Sequence, residues 1–317
     1  MNVLYFIVQQ MMYFAIPLLI VALGGMFSER SGIINIALEG IMVMGGFSGV
    51  LLIHNLEGQM SGQGLFLLGI LVAGLAGGVF SLLHAYASIN LGADQTISGT
   101  ALNLFAPAFA IFTTRAIQRV QQIHFTNTFF IEKVPLLGDI PVLGALFFQK
   151  TYLSTYLGLL IFLIASFVIK HTRFGLRLRA CGEHPQAADS VGVNVYRIRY
   201  AGVFISGVFA GIGGLIFVIP NSVYYNPTVN GYGFLALAVL IFGNWRSWGI
   251  FWAALFFSIM KTFASVYSGV PFLRNLPIPQ DIYNMIPYIA TLAVLAIAAK
   301  HSQAPRAEGI PFEKGSR

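Results

Sequence analysis

Long apolar runs, separated by short polar or glycine-rich breaks, repeat along most of the 317 residues. They lie near 4–27, 33–54, 64–88, 95–113, 152–170, 201–220, 232–244, 248–268 and 283–299. A helix rising about 1.5 Å per residue needs about 20 apolar residues to cross about 30 Å of bilayer hydrocarbon. The pattern therefore predicts an all-α polytopic membrane protein with about nine transmembrane helices. The run YGFLALAVLIFGN at 232–244 is short for a full crossing. It predicts either a tilted span or a half-helix held among its neighbours. The opening MNVLYFIVQQ has no basic leader and no small-residue cleavage site, so the first run is expected to stay as a span. The organisation predicted is one transmembrane domain over 1–300 and a tail over 301–317.

Composition agrees, with 57% hydrophobic and 9% charged residues and a mean hydropathy of +0.78, far from an ordinary soluble domain. The net charge of +7 does not point to nucleic acid, because the basic residues sit at span boundaries, where topology explains them. Six of the 18 Lys and Arg lie in one island, Lys170–Tyr200. Basic residues are commoner on the cytoplasmic side, so the island and the C-terminal tail are both expected there. Span parity then places Arg30 and the Asn90–Asp94 turn inside as well, with 114–151 outside. The single Cys181 excludes an internal disulfide and a paired-cysteine metal site. The 34 glycines, many of them adjacent, suit close helix approach in lipid. A faint echo between LGGMFSERSG (23–32) and IFGNWRSWG (241–249) suggests an internal repeat.

Inside the island, EHPQAADSVG has the chemistry of a short surface helix. Pro185 suits the first turn, where its missing N–H costs nothing, and Gly192 can take the left-handed stop. A capped helix at the membrane surface suits presentation to a partner. The alternative is a solvated basic loop that only sets topology.

Asn35, Glu39, His54, His84, Asp94, Asn103 and Lys261 fall in or near spans, where polar groups face protein, cavity or interface. Asn35 and Glu39, four apart, are predicted to share one helix face. They either hydrogen-bond a passing solute or fix a neighbouring helix. Asp94 is a candidate N-cap, the two histidines are expected to be interfacial or satisfied core groups, and Lys261 either snorkels or lines a cavity. No GxxxxGK[ST] phosphate loop occurs, and no Cys/His set has zinc spacing. Gly46-Phe47-Ser48-Gly49 matches a short string of intramembrane serine hydrolases, but a Ser nucleophile needs a base in a facing span. Only His54 and His84 follow Ser48 within the spans, on the next turns or the next span.

Four stretches carry a resemblance. ALGGMFSERSGIINIALEGIMVMGGF (22–47), GADQTISGTALNLFA (92–106), FGLRLRACGEHPQAADSVGVNVYRIRYAGVFISGVFAGIGG (174–214) and GYGFLALAVLIFGNWRSWG (231–249) are similar, in order, to blocks of the ABC-importer permeases for branched-chain amino acids, sugars and nucleosides. The chain most resembles the nucleoside permeases of the guanosine type. It departs from the family at Ala37, where glycine is common, and at 244–247, where Asn-Trp-Arg-Ser replaces a Gly/Pro-rich turn.

The resemblance implies a type II ABC importer-like fold with short cytoplasmic coupling helices. The coupling segment would be 171–200, with Arg173, Arg177, Arg179, Gly182, Glu183, His184, Pro185, Ala187, Ala188 and Gly192 meeting the ATPase. The translocation path would draw on Asn35, Glu39, Asn103, Asn221, Asn226, Asn230 and Lys261. It further implies a multi-pass cell-membrane location and no cofactor on this chain, with ATP-Mg held by a partner ATPase. The partners implied are that cytoplasmic ABC ATPase, a second related permease chain or a second copy, and an extracytoplasmic solute-binding lipoprotein. Nucleosides are the implied solute. The competing readings are a ribose-like sugar permease, an ATP-driven exporter, and an ion-driven secondary transporter whose coupling carboxylates could only be Glu39 and Asp94.

Overall fold

The computed structural model describes residues 2–266 and 303–314, with isolated helical positions between 282 and 296. Its helices are α1 (Asn2–Glu29), α2 (Leu38–Leu56), α3 (Gln63–Ile89), α4 (Gln95–Gln118), α5 (Leu153–His171), α6 (Arg173–Glu183), α7 (Pro185–Ser190), α8 (Val195–Asn221), α9 (Tyr232–Phe242) and α10 (Ser247–Val266). Seven of these are long and apolar enough to cross a membrane, and α9 is a shorter apolar helix. The expected span at 283–299 lies largely outside the described residues.

Three sequence expectations need correction. The second span begins at Leu38, not 33, because residues 33–37 are not helical. The sixth long helix begins at Val195, so residues 195–200 of the expected coupling segment are its first turns. The fourth span, expected to end at 113, continues as α4 to Gln118, and beyond it β1 (Ile123–His124) and β2 (Phe130–Lys133) form. These strands pair antiparallel with β4 (Tyr224–Tyr225) and β3 (Gln149–Tyr152), setting Ile123 opposite Tyr225 and Phe130 opposite Tyr152.

Helix α8 is the central post, packed against α1, α2 and α3. Lipid gives apolar helices little drive to associate, so close van der Waals contact between small residues does that work. Gly45 on α2 faces the Gly211 backbone on α8, and Gly77 on α3 faces the Gly207 carbonyl and Gly211. A methyl group at any of these would meet backbone. The paired glycines singled out in the sequence are packing surfaces. On the outside, α3 and α4 expose rows such as Leu71, Leu75, Val79, Leu104 and Phe112, as a hydrocarbon solvent requires.

The two ends of the bundle differ. At one end, Arg30 donates to the Trp245 carbonyl, Ala307 N–H to the Gly182 carbonyl and Tyr200 hydroxyl to Asn90. At the other, His54 meets the His124 carbonyl, Gln63 donates to the Phe129 carbonyl and Asn127 donates to the Ile219 carbonyl. Arg30, the basic island, the turn at Arg246 and the tail from 303 thus share one end, the grouping that charge and parity predicted.

Candidate functional site

The deep interior contains a stretch of irregular backbone. Residues 33–37 link α1 to α2 without helical bonds, and Ile33, Asn35 and Ala37 are fully buried. Backbone polar groups cannot stay unpaired at such depth, and side chains from α3 and α4 complete them. Asn103 donates to the Ile36 carbonyl at 2.9 Å and accepts from Gly40 N–H at 2.7 Å. Gln95 accepts from Ile34 N–H, while His84 bridges the Ile34 carbonyl and the Ser98 hydroxyl. Asn35 donates to Ser206 on α8 at 2.9 Å, and its own side-chain oxygen is buried without a partner. Asn35 precedes the helix, so it does not share a helical face with Glu39 as the spacing predicted. Asp94 is the N-cap of α4, accepting from Thr96 and Ile97 N–H groups.

Beside this stretch sits a broken helix. The chain leaves α8 at Asn221, pairs β4 with β1, and turns back through Asn230 and Gly231, both with left-handed φ (52° and 79°). It then starts α9 within the bundle. Eleven residues at 1.5 Å each reach about half of the hydrocarbon thickness, the half-helix alternative of the sequence reading. Its N-terminus carries unpaired N–H groups and a positive dipole end. Glu39 meets both needs, accepting from Gly231 N–H at 2.8 Å and from Gly233 N–H at 2.6 Å. Gly233 lies directly on the backbone of Glu39, where a side chain has no room. The Tyr232 ring packs tilted against Phe217, centroids 4.3 Å apart, and its hydroxyl is buried without a partner among the described residues.

Above this joint, the turn between α8 and α9 lines a cavity of about 260 Å³ at the end away from the basic island. Asn221, Asn226 and Asn230 line it together with Thr228, over the rings of Phe217 and Tyr224. Three of the seven path candidates therefore meet in one polar and aromatic vestibule. Glu39 and Asn103 are elsewhere, holding the two helix starts, and Asn35 bonds Ser206 on α8. Lys261 is half-buried on α10, apart from both groups and with no hydrogen bond or ion pair among the described residues.

At the opposite end, α6 and α7 form a hairpin. Thr172 caps α6 by accepting from Gly175 N–H; Pro185 opens α7, and Gly192 stops it with φ of 86°. Arg173, Arg177, His184, Ala187 and Gly192 are exposed, whereas Pro185 and Ala188 face inward with Gly182 and Cys181. Arg179 is half-buried, and Glu183 pairs with Arg30 at 3.6 Å. Burial pushes the Cys181 thiol up to about 11, with Arg199 opposing, so it is a packed, unreactive group. Among the described residues no histidine hydrogen-bonds Ser48: His54 meets the His124 carbonyl, and His84 the Ile34 carbonyl and the Ser98 hydroxyl.

The partners of this hairpin leave no pattern in the residues of 171–200. The tail crosses it: Ala307 and Gly309 N–H groups donate to the carbonyls of Gly182 and Gly32. Arg199, 1% exposed, donates to the Ile310 carbonyl and lies over the Phe312 ring. Trp245 gives its indole N–H to Glu29. The only sequence signal for this was the unusual Asn-Trp-Arg-Ser turn.

Residues 7–295 match the family described as branched-chain amino acid transport system, permease component. The guanosine ABC transporter permease protein NupQ of Bacillus subtilis is 42% identical, the match covering 100% of this chain and 99% of that one. The nucleoside ABC transporter permease protein NupC of Lactococcus lactis is also 42% identical, over 99% and 98%. A second L. lactis nucleoside permease protein, NupB, is 23% identical over 95% of this chain and 84% of its own length. No solved structure matches. With spanning helices, a broken-helix interior and a match along nearly its whole length, this chain belongs to the branched-chain amino acid transport system permease family and is a multi-pass membrane permease component.

Proposed function

We propose that the chain is the membrane subunit of an ATP-driven nucleoside importer. The observation that carries this reading is 42% identity, from end to end, to permease proteins named for guanosine and for nucleosides. The vestibule suits that class of solute. Asparagine amides offer both donors and acceptors to a base or ribose, and the rings of Phe217 and Tyr224 offer a stacking wall. Solute delivered by an extracytoplasmic binding lipoprotein enters there.

The α6–α7 hairpin is the handle for a cytoplasmic ABC ATPase, which places the C-terminus in the cytoplasm. Its outward residues Arg173, Arg177, His184, Ala187 and Gly192 meet the partner; Pro185, Ala188 and Gly182 hold the hairpin on the bundle. Movement passes to α5 and α8, which flank it. Nucleotide closure shifts the permease between states if the ATPase binds them with different free energy. A second, related permease chain completes the pathway. The occurrence of NupB and NupC in one strain supports a pair of unlike chains.

Vesicles holding this chain, its ATPase and a paired permease, supplied with the binding lipoprotein, should accumulate radiolabelled guanosine only with ATP. Uptake by this chain alone under a proton or sodium gradient would overturn the proposal.

A further inference from the structure

At the end of the bundle that carries α6 and α7, four segments far apart in sequence enclose a cavity of about 580 Å³. Arg30 comes from the turn after α1, Glu183 from the end of α6, Asn244 and Arg246 from the turn before α10, and Gln303 and Arg306 from the tail. Ala304 is the one apolar lining residue. Three guanidinium groups thus face a single carboxylate, and that carboxylate already pairs with Arg30 at 3.6 Å. The side chains of Arg246 and Arg306 are exposed and have no acidic partner among the described residues.

The walls are fixed by hydrogen bonds. Gln303 N–H donates to the Asn244 side-chain oxygen at 2.9 Å, and Arg30 donates through Nε and Nη2 to the Trp245 carbonyl. Asn244 and Trp245 both hold left-handed φ, 52° and 53°, so this turn has one defined shape. Ala307 N–H ties the tail to Gly182. Topology alone accounts for arginines scattered along a membrane edge. It does not account for a polar-walled cavity closed by a docked tail.

We propose that this cavity binds a phosphate group, carried either by a soluble phosphate ester or by an anionic lipid headgroup. Guanidinium forks match phosphate oxygens two at a time, and a dianion relieves the mutual repulsion of the clustered arginines. Burial pulls the Arg30 pKa down; the Glu183 carboxylate raises it, Arg179 and Arg246 lower it further, and Glu308, outside the cavity lining, raises it again. The near absence of apolar lining fits a headgroup or a soluble ester, not an acyl chain. The inference does not depend on which solute the permease carries.

The test uses the full chain in nanodiscs of neutral phosphatidylcholine, titrated with glycerol 3-phosphate and with glycerol as the uncharged control. Parallel discs contain phosphatidylglycerol, and lipid retained on the protein is measured by native mass spectrometry. Saturable glycerol 3-phosphate binding in neutral discs assigns a soluble ester; selective phosphatidylglycerol retention assigns a headgroup. In either case Arg246→Gln with Arg306→Gln should weaken binding by about tenfold or more, as loss of charged hydrogen bonds implies. Arg197→Gln, outside the cavity, should leave it unchanged. Should the double variant fail to insert, Arg306→Gln alone, at an exposed tail position, serves for the same comparison. The proposal is overturned if neither probe binds better than its neutral control, or if the arginine variant binds as well as the unaltered chain. Loss of ATPase association in that variant without any phosphate binding also overturns it, and gives these arginines to a protein contact instead.

Discussion

The indole N–H of Trp245 donates to the carboxylate of Glu29 at 2.5 Å, joining the end of α1 to the turn before α10. Glu29 is 4% exposed and Trp245 5%, so neither group has water to replace the bond. These residues lie in the two echoing segments, 23–32 and 241–249, which the fold brings face to face. Trp245→Phe keeps the ring and removes the donor. We expect it to lower stability by about 1–3 kcal/mol, the cost of an orphaned buried acceptor, read as a lower unfolding temperature in detergent.

Asn103 holds both sides of the α2 start, so its loss should be costlier than its exposure suggests. Asn103→Leu leaves the Ile36 carbonyl and the Gly40 N–H unpaired in the bundle interior, and should cost about 2–6 kcal/mol at 1–3 per orphaned group. Asn103→Asp keeps an acceptor for Gly40 and should fall between the two. Thermal unfolding of the three proteins, side by side, orders them. Equal stability would show that the clamp is not holding the helix start.

Gly45→Ala places a methyl on the Gly211 backbone. Since backbone cannot yield as a flexible side chain does, α2 and α8 must separate or shift. We expect lost thermal stability, and also lost transport, because the vestibule hangs from the end of α8. An alanine variant with unchanged melting temperature would mean that this crossing is looser than the geometry states.

For the hairpin, side matters as much as residue choice. Ala187 and Val191 are exposed, Val191 at 78%, whereas Ala188 is 4% exposed against Cys181, Val195 and Phe312. Ala187→Arg with Val191→Arg should abolish capture of the co-expressed ATPase while membrane insertion and melting stay normal. Ala188→Arg buries a charge and should unfold the hairpin, so it is uninformative about docking. Glu183→Arg also confounds docking with folding, because it sets another cation beside Arg30.

The tail should respond to pH. Burial pushes the Glu308 carboxyl up to about 7 from its ordinary 4.5; its bond with Glu29 and the Arg30 charge pull the other way. A carboxyl raised in the folded state binds its proton more tightly there. Its stabilisation is complete below about 4.5 and is lost as pH rises through about 7. Hydrogen exchange at 303–312 should therefore quicken from pH 5 to pH 8, beyond the intrinsic rise, and Glu308→Gln should flatten the trend. A trend unchanged in that variant would assign it to another group.

Apolar run length determined the helices, because a bilayer admits few other structures: seven of the nine expected runs are long helices and the short one is the half-helix α9. Local chemistry was equally legible where one residue suffices, as in Asp94 capping α4 or Pro185 and Gly192 bounding α7. Asn221, Asn226 and Asn230 could be singled out because they are polar and near spans. Only tertiary structure decided what Asn103, Glu39 and Arg199 do. Their partners lie 63, 192 and 111 residues away, and a hydrogen bond across such a separation leaves no period in the sequence. The same holds for the tail: its residues 303–312 are polar enough to pass for a free end, and only the carbonyls of Gly182 and Gly32, left unpaired by helix ends and turns, make them a clasp.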